Sequence, residues 1–202
     1  MARSSYHHGN LRQALIEATV RLIEDSGPQA FTLAEAARVA GVSAAAPYRH
    51  FAGREQLLEE IARQGFDEFA DRLEAAFDEG RPRALTAFLR MGQEYLSFAR
   101  ERRGFYIAMF ESGISIAGNS GLQQASDRAR GVLVRGAGAL FADRPGPAPP
   151  AGMIADHIWA LSHGVVELFG RGKPGSRSPI SPEDMLESGA LIYLRGLGVI
   201  TG

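Results

Sequence analysis

The stretch "GVSAAAPYRHF", residues 41–51, sets anion-binding donors beside very small side chains. Tyr48, Arg49 and His50 can each donate a hydrogen bond to an anion, but a segment this short does not chelate a metal. Before them stand Ser43 and the three methyl groups of Ala44, Ala45 and Ala46. Serine and threonine are preferred helix N-caps, and a helix start offers backbone N–H groups to an anion. Thr32 and Ser43 both occupy such positions. Alanine methyls let a backbone approach a base edge and can touch thymine methyls, yet they lack the paired donors and acceptors that discriminate strongly. The pattern suits the major groove of DNA. The start of a short helix would lie among the base edges, and Tyr48, Arg49 and His50 would hold phosphates, which fix register without reading sequence. Arg54 opens the next helix at a comparable place. A plain surface helix with Tyr48 and Phe51 packed on a small core uses the same residues.

Other chemistries find little support. The chain has no Gly-rich phosphate loop, no Gly-x-Ser-x-Gly and no His-Glu-x-x-His, so an enzyme is not expected. It has no cysteine, which excludes disulfides and thiol-ligated zinc. His7 and His8 are adjacent and would point apart on a helix, while His157 and His163 face differently. Neither pair makes a metal site, and no metal or cofactor is expected. Of the 202 residues 45% are hydrophobic and 22% charged, as in ordinary globular proteins. No apolar run approaches the ~18 residues of a membrane span, and the N-terminus lacks a signal-peptide core, so a soluble cytoplasmic chain is expected. The net charge is -1, but residues 1–54 carry more arginines (3, 12, 21, 38, 49, 54) than acids. Nucleic-acid binding depends on that local footprint. In an N-terminal arm near the DNA backbone, Arg3 is the residue expected to probe a minor groove.

The elements that must position these residues read as helical nearly throughout. A first helix starts at Asn10, with Leu11, Leu15, Ala18 and Leu22 on one stripe, and stops at Gly27-Pro28. Thr32-Leu-Ala-Glu35 is a capping box that opens a second helix, ended by Gly41. Ser43 caps a third, in which Pro47 falls early enough to cost a single hydrogen bond. Two short helices about a glycine turn make a helix-turn-helix. A long amphipathic helix follows over about 54–79, buried through Leu57, Leu58, Ile61, Phe66, Phe69, Leu73 and Phe77. Further helices are predicted at about 83–102, 104–113, 121–142, 151–170 and 183–200, with a linker at 143–150 and a polar loop at 171–182. The fold class is all-α: a three-helix DNA-binding domain over 1–53 and a larger helical domain over 54–202, about nine helices together.

The segment "FTLAEAARVAGVSAAAPYRHFAGREQLLEEIA" resembles the DNA-binding signature of the tetracycline-repressor (TetR) family of bacterial regulators. The likeness lies in the threonine opening the second helix, Ala-Gly-Val-Ser across the turn and Tyr-x-His-Phe at the end of the recognition helix. It covers roughly residues 6–65. The resemblance implies phosphate contacts from Thr32, Ser43, Tyr48, His50 and Arg54, with Ala44, Ala45 and Ala46 facing bases. Ala36 stands where isoleucine is common, and Arg54 replaces the usual lysine. "YHHGNLR" near the N-terminus is similar to family members too, and implies a capping or arm role near the DNA backbone.

In the second domain "IWALSHG" is similar to a TetR subgroup with a Trp-x-x-x-His-Gly signature, as is "YLSFARERRGFYIAMF", although Gly104 stands where that subgroup often has proline. Trp159 and His163 share a helical face. They suit first a packed core that holds helices together; the functional alternative is a pocket in which His163 is the polar anchor and Tyr95, Phe98, Tyr106, Met109 and Phe110 supply apolar walls. On the last helix, Leu186, Gly189, Ala190, Tyr193, Gly196 and Leu197 offer a dimer surface. The glycines there reflect either close helix approach or composition. The resemblance implies a two-fold homodimer built on the last two helices, bound to a palindromic operator and released by a partly apolar small molecule. Repression is the family's commonest mode. The long helix is the natural lever, with Gly65 either a bend or a packing contact. A DNA-binding protein whose second domain only dimerises is the alternative.

Overall fold

The computed structural model describes residues 11–144, 146–170 and 179–200. Arg3, His7, His8, the expected cap at Asn10 and most of the 171–182 loop lie outside the described residues. Eight α-helices run through the rest: α1 (Leu11–Ser26), α2 (Leu33–Val39), α3 (Arg54–Phe77), α4 (Ala84–Glu101), α5 (Arg103–Phe110), α6 (Ser120–Ala139), α7 (Ala151–Val165) and α8 (Pro182–Gly196). There is no strand among the described residues, so the all-α reading holds.

The chain divides into two compact units. One takes in the described residues up to Phe66 together with Arg102–Ala125; the other takes in Asp67–Glu101 and the described residues from Ser126 onward. Helix α3 contributes its first half to one unit and its second half to the other. Helix α5 belongs with the N-terminal helices.

In the first unit, α1 turns Leu15, Ile16, Ala18, Thr19 and Ile23 inward, a stripe rotated from the expected one, which leaves Leu11 and Leu22 half-buried. Thr19 is tolerated there because its hydroxyl donates to the Leu15 carbonyl at 2.8 Å. Leu57, Leu58, Ile61 and Phe66 of α3 complete the core with Phe31 and Phe51. Gly65 is a packing contact: a β-carbon there would stand 2.7 Å from the Met109 sulfur. Phe66 and Phe110 meet edge-to-face, with centroids 5.5 Å apart.

In the second unit, Phe69 anchors the core. Its ring lies edge-on to Tyr95 with centroids 5.2 Å apart and tilts against Phe98 at 5.0 Å. Helix α8 is sharply delimited: Ser181 accepts from the Asp184 N–H at 3.0 Å, and Pro182 occupies the first turn. Its far end closes at Gly198, φ +71°, where the Val199 N–H reaches the Leu194 carbonyl.

Candidate nucleic-acid interface

The interface begins with the capping box. The Thr32 hydroxyl accepts from the Glu35 N–H at 3.2 Å and donates to the Glu35 carboxylate at 2.9 Å, while the Thr32 N–H donates to the same carboxylate at 2.8 Å. The exposed Thr32 hydroxyl is therefore already engaged, and contact with a phosphate would compete with Glu35. Helix α2 stops in a Schellman turn. Gly41 adopts φ +72°, its N–H reaches the Arg38 carbonyl at 3.2 Å, and the Val42 N–H reaches the Ala37 carbonyl at 2.9 Å. Ala36 and Ala37 are fully buried beneath it, so the alanine at 36 is a real core contact despite its size.

The recognition segment differs from expectation in its local form. The third element is a turn at 44–46 followed by a 3-10 turn, Pro47–Arg49, and is not an α-helix. Pro47 is the cause, because it has no N–H to return to Ser43. The Ala46 N–H takes the Ser43 carbonyl instead at 2.9 Å, which tightens the turn to an i to i+3 pattern, and the His50 N–H then bonds Pro47 the same way at 2.9 Å. Ser43 contributes its carbonyl to this arrangement.

What the segment presents is clear from burial. Pro47 and Phe51 are buried and act as its two anchors, while Ser43, Ala44, Ala45 and Arg49 are exposed and Ala46 and His50 half-exposed. Tyr48 is 63% exposed, a large ring without a core partner. Phe51 is fixed from α1 and α3 together: the Arg12 guanidinium lies 5.2 Å from its ring centroid and bonds Glu60 at 2.8 Å. Arg63 and Gln64 bond the same carboxylate at 2.8 and 2.9 Å. Burial alone would raise the Glu60 carboxyl, but these hydrogen bonds outweigh it and hold the group down at about 2. Sequence reasoning counted Arg12 only in the local basic charge and missed its pairing with Glu60, which lies outside the recognition segment. Arg54 is half-buried, with its guanidinium turned onto the loop before α2.

The expected ligand residues divide between the units. Tyr106, Met109 and Phe110 pack in the first. Tyr95, Phe98, Trp159 and His163 belong to the second, where the buried Tyr95 hydroxyl meets His163 Nδ1 at 3.3 Å. A cavity of about 10 Å³ is lined by Phe88, Met91, Tyr95, Leu133, Trp159 and Ser162. A second, of about 20 Å³, lies by Leu89, Leu96, Leu186 and Ala190. Each has room for about one water. A larger cleft of about 610 Å³ is open and charged, and its Arg100 and Glu183 are paired at 2.9 Å.

Of the expected dimer residues, Leu186 and Ala190 are 4% exposed and line the small cavity against α4. Gly189 faces the subunit's own Leu161, where a β-carbon would stand 3.1 Å away, and the half-buried Tyr193 hydroxyl meets His157 at 2.8 Å. Gly196 is open, and Leu197 is half-buried. The large apolar side chain that α8 turns outward is Ile192, 69% exposed.

A capped helix, a glycine turn and an outward segment on buried anchors define a helix-turn-helix protein. Residues 15–61 match "Bacterial regulatory proteins, tetR family", and residues 88–191 match "Tetracyclin repressor-like, C-terminal domain". The chain belongs to the TetR family of bacterial regulatory proteins. It is 32% identical over 125 residues to the HTH-type transcriptional regulator BetI of Rhizobium meliloti, a match spanning 61% of this chain and 57% of that relative's length. A protein of unknown function from Rhodococcus shares the fold at a TM-score of 0.82 and 29% identity, over 96% of this chain and 99% of its own. The TetR family transcriptional regulator PfmR of Thermus thermophilus shares it at 0.65 and 20% identity, over 91% and 98%.

Proposed function

We propose that the chain is an operator-binding repressor of the Trp-x-x-x-His-Gly subgroup, acting as a homodimer and released by a small, partly apolar effector. The carrying observation is the outward presentation of Ala44 and Ala45, just before the buried anchor Pro47, and of Tyr48, between Pro47 and the second anchor Phe51. Ala44 to Ala46 face base edges; Ser43, Tyr48, Arg49 and His50 hold phosphates. The BetI relative is a transcriptional regulator, which supports this reading. Two recognition segments about one DNA turn apart, ~34 Å, match a palindromic site. An effector that prefers a conformer with another separation shifts the population and frees the DNA. Helix α3, which belongs to both units, is the covalent route for that change.

The second-unit cavities of about 10 and 20 Å³ favour one other reading, in which that unit only dimerises. Under the first reading, the effector enters by parting Tyr95 from His163. Footprinting on the gene's upstream DNA, repeated with a metabolite panel, separates the two: release by one metabolite supports the effector reading. In the same assay Tyr48→Phe and His50→Ala weaken binding to all sequences alike, whereas Ala45→Gln alters sequence preference. A Tyr48→Phe protein with changed preference and undiminished affinity would overturn the assignment of contacts.

A further inference from the structure

Arg54 stands three residues past Phe51, at the exit of the recognition segment and the start of α3. Its charge and position suit a phosphate contact, but its guanidinium is engaged elsewhere. One terminal nitrogen donates to the Pro28 carbonyl and, at 3.1 Å, to Gln29 Oε1. The guanidinium carbon lies 4.9 Å from the centroid of the Phe31 ring. The buried Nε has no hydrogen-bond partner among the described residues. A guanidinium stacked on an aromatic face and bonded to a backbone carbonyl gives up both contacts if it swings out to solvent.

The partners matter as much as the bonds. Pro28, Gln29 and Phe31 form the entry to α2, and Phe31 directly precedes the cap Thr32. Arg54 therefore closes the loop that contains the whole helix-turn-helix, joining its entry to its exit across 26 residues. Gln29 extends the closure: while its Oε1 accepts from Arg54, its Nε2 donates to the Ser112 carbonyl at 3.1 Å, just beyond the end of α5. Ser112 is itself buried, and its hydroxyl bonds the Ala108 carbonyl at 2.6 Å.

We propose that Arg54 is a positioning residue that clasps the two ends of the helix-turn-helix through Pro28, Gln29 and Phe31, and is not one of the phosphate contacts. The proposal rests on the DNA-binding reading above. It follows that Gln29, an uncharged residue outside the recognition segment, sets DNA affinity through Arg54.

Counterion release distinguishes a clasp from a contact. Each phosphate neutralised adds about 0.9 to the slope of log affinity against log salt. The full chain and its variants are titrated onto a mixed-sequence duplex over a salt series, with circular dichroism confirming the fold. Arg54→Gln is expected to lower affinity by about tenfold or less at every salt concentration, leaving the slope unchanged. Arg49→Gln, an exposed comparator, lowers the slope by about 0.9 for each phosphate lost. Gln29→Ala lowers affinity without changing the slope, and the double variant loses no more than Arg54→Gln alone. A slope reduced in Arg54→Gln overturns the proposal, as does an additive double variant. If Arg54→Gln does not fold, Gln29→Ala decides, since wild-type affinity in that variant overturns it equally. A wild-type chain with no salt-dependent binding would remove the DNA-binding reading itself.

Discussion

Gly104 leaves the space its side chain would fill to Val20. A β-carbon at position 104 would stand 2.6 Å from both the Val20 carbonyl oxygen and Val20 Cγ1, and 3.0 Å from Glu24 Cγ. The contact brings α5 against α1, and the Gly104 N–H donates to the Glu24 carboxylate at 2.9 Å. That bond places a carboxylate at the first turn of α5, where unpaired N–H groups and the helix dipole favour it. Proline, common at this position in the resembled subgroup, could not donate it.

Gly104→Ala is accordingly expected to destabilise the chain. In an open helix the change gains up to about 1 kcal/mol. Here the obstruction includes backbone, which moves only if α1 moves, and overpacking of this kind costs about 1–3 kcal/mol. Gly164, with nothing within 4 Å, is the control. Denaturant unfolding should show a lower midpoint for Gly104→Ala and an unchanged or higher one for Gly164→Ala.

Glu60 gives a prediction in pH. Folded, its carboxyl titrates at about 2, against an ordinary value of 4.5. Its contribution to stability is thus complete above the ordinary value, declines as pH falls from there towards 2, and is absent below. The shift corresponds to roughly 1–3 kcal/mol once the solvent exposure of both arginines is allowed for. Glu60→Gln should be less stable than the native chain at neutral pH, with the gap closing as the solution is acidified from about 5 to 2. Unfolding curves for the two proteins across that range check this; a gap independent of pH would show that the carboxylate charge is not what holds Arg12 and Arg63.

The sequence was most legible where the signals were local. Thr32 and Glu35 form the capping box their spacing describes, and Gly41 closes α2. The reach of α3 matched within two residues at its end. Pro47 was legible as a lost hydrogen bond but not as a changed helix type, because the outcome depended on which N–H took over the Ser43 carbonyl. The aim of the Arg54 guanidinium was hidden for another reason: Pro28 and Phe31 meet it only through tertiary folding. Periodicity likewise identified α8 as apolar without saying which side faced its own subunit. Leu186, Ala190 and Leu194 turned inward.

That last ambiguity carries its own test. Leu186 and Ala190 are occupied by packing within the subunit, so a dimer built on α8 must use the opposite face, where Ile192 is 69% exposed. Leu168, Ile180 and Met153, 62%, 46% and 39% exposed, are further apolar side chains left at the surface of this unit. An isolated surface isoleucine is unremarkable, but a central one in a desolvated helix–helix contact contributes 2 kcal/mol or more, roughly thirtyfold in dissociation constant. Ile192→Glu should therefore convert the proposed dimer to a folded monomer at micromolar concentration, seen as a halved mass in sedimentation with an unchanged circular dichroism spectrum. Leu186→Glu should behave differently, losing helicity and thermal stability because its charge would be buried against α4. If Ile192→Glu sediments as wild type does, α8 does not pair through this face, and a dimer must be sought on another surface.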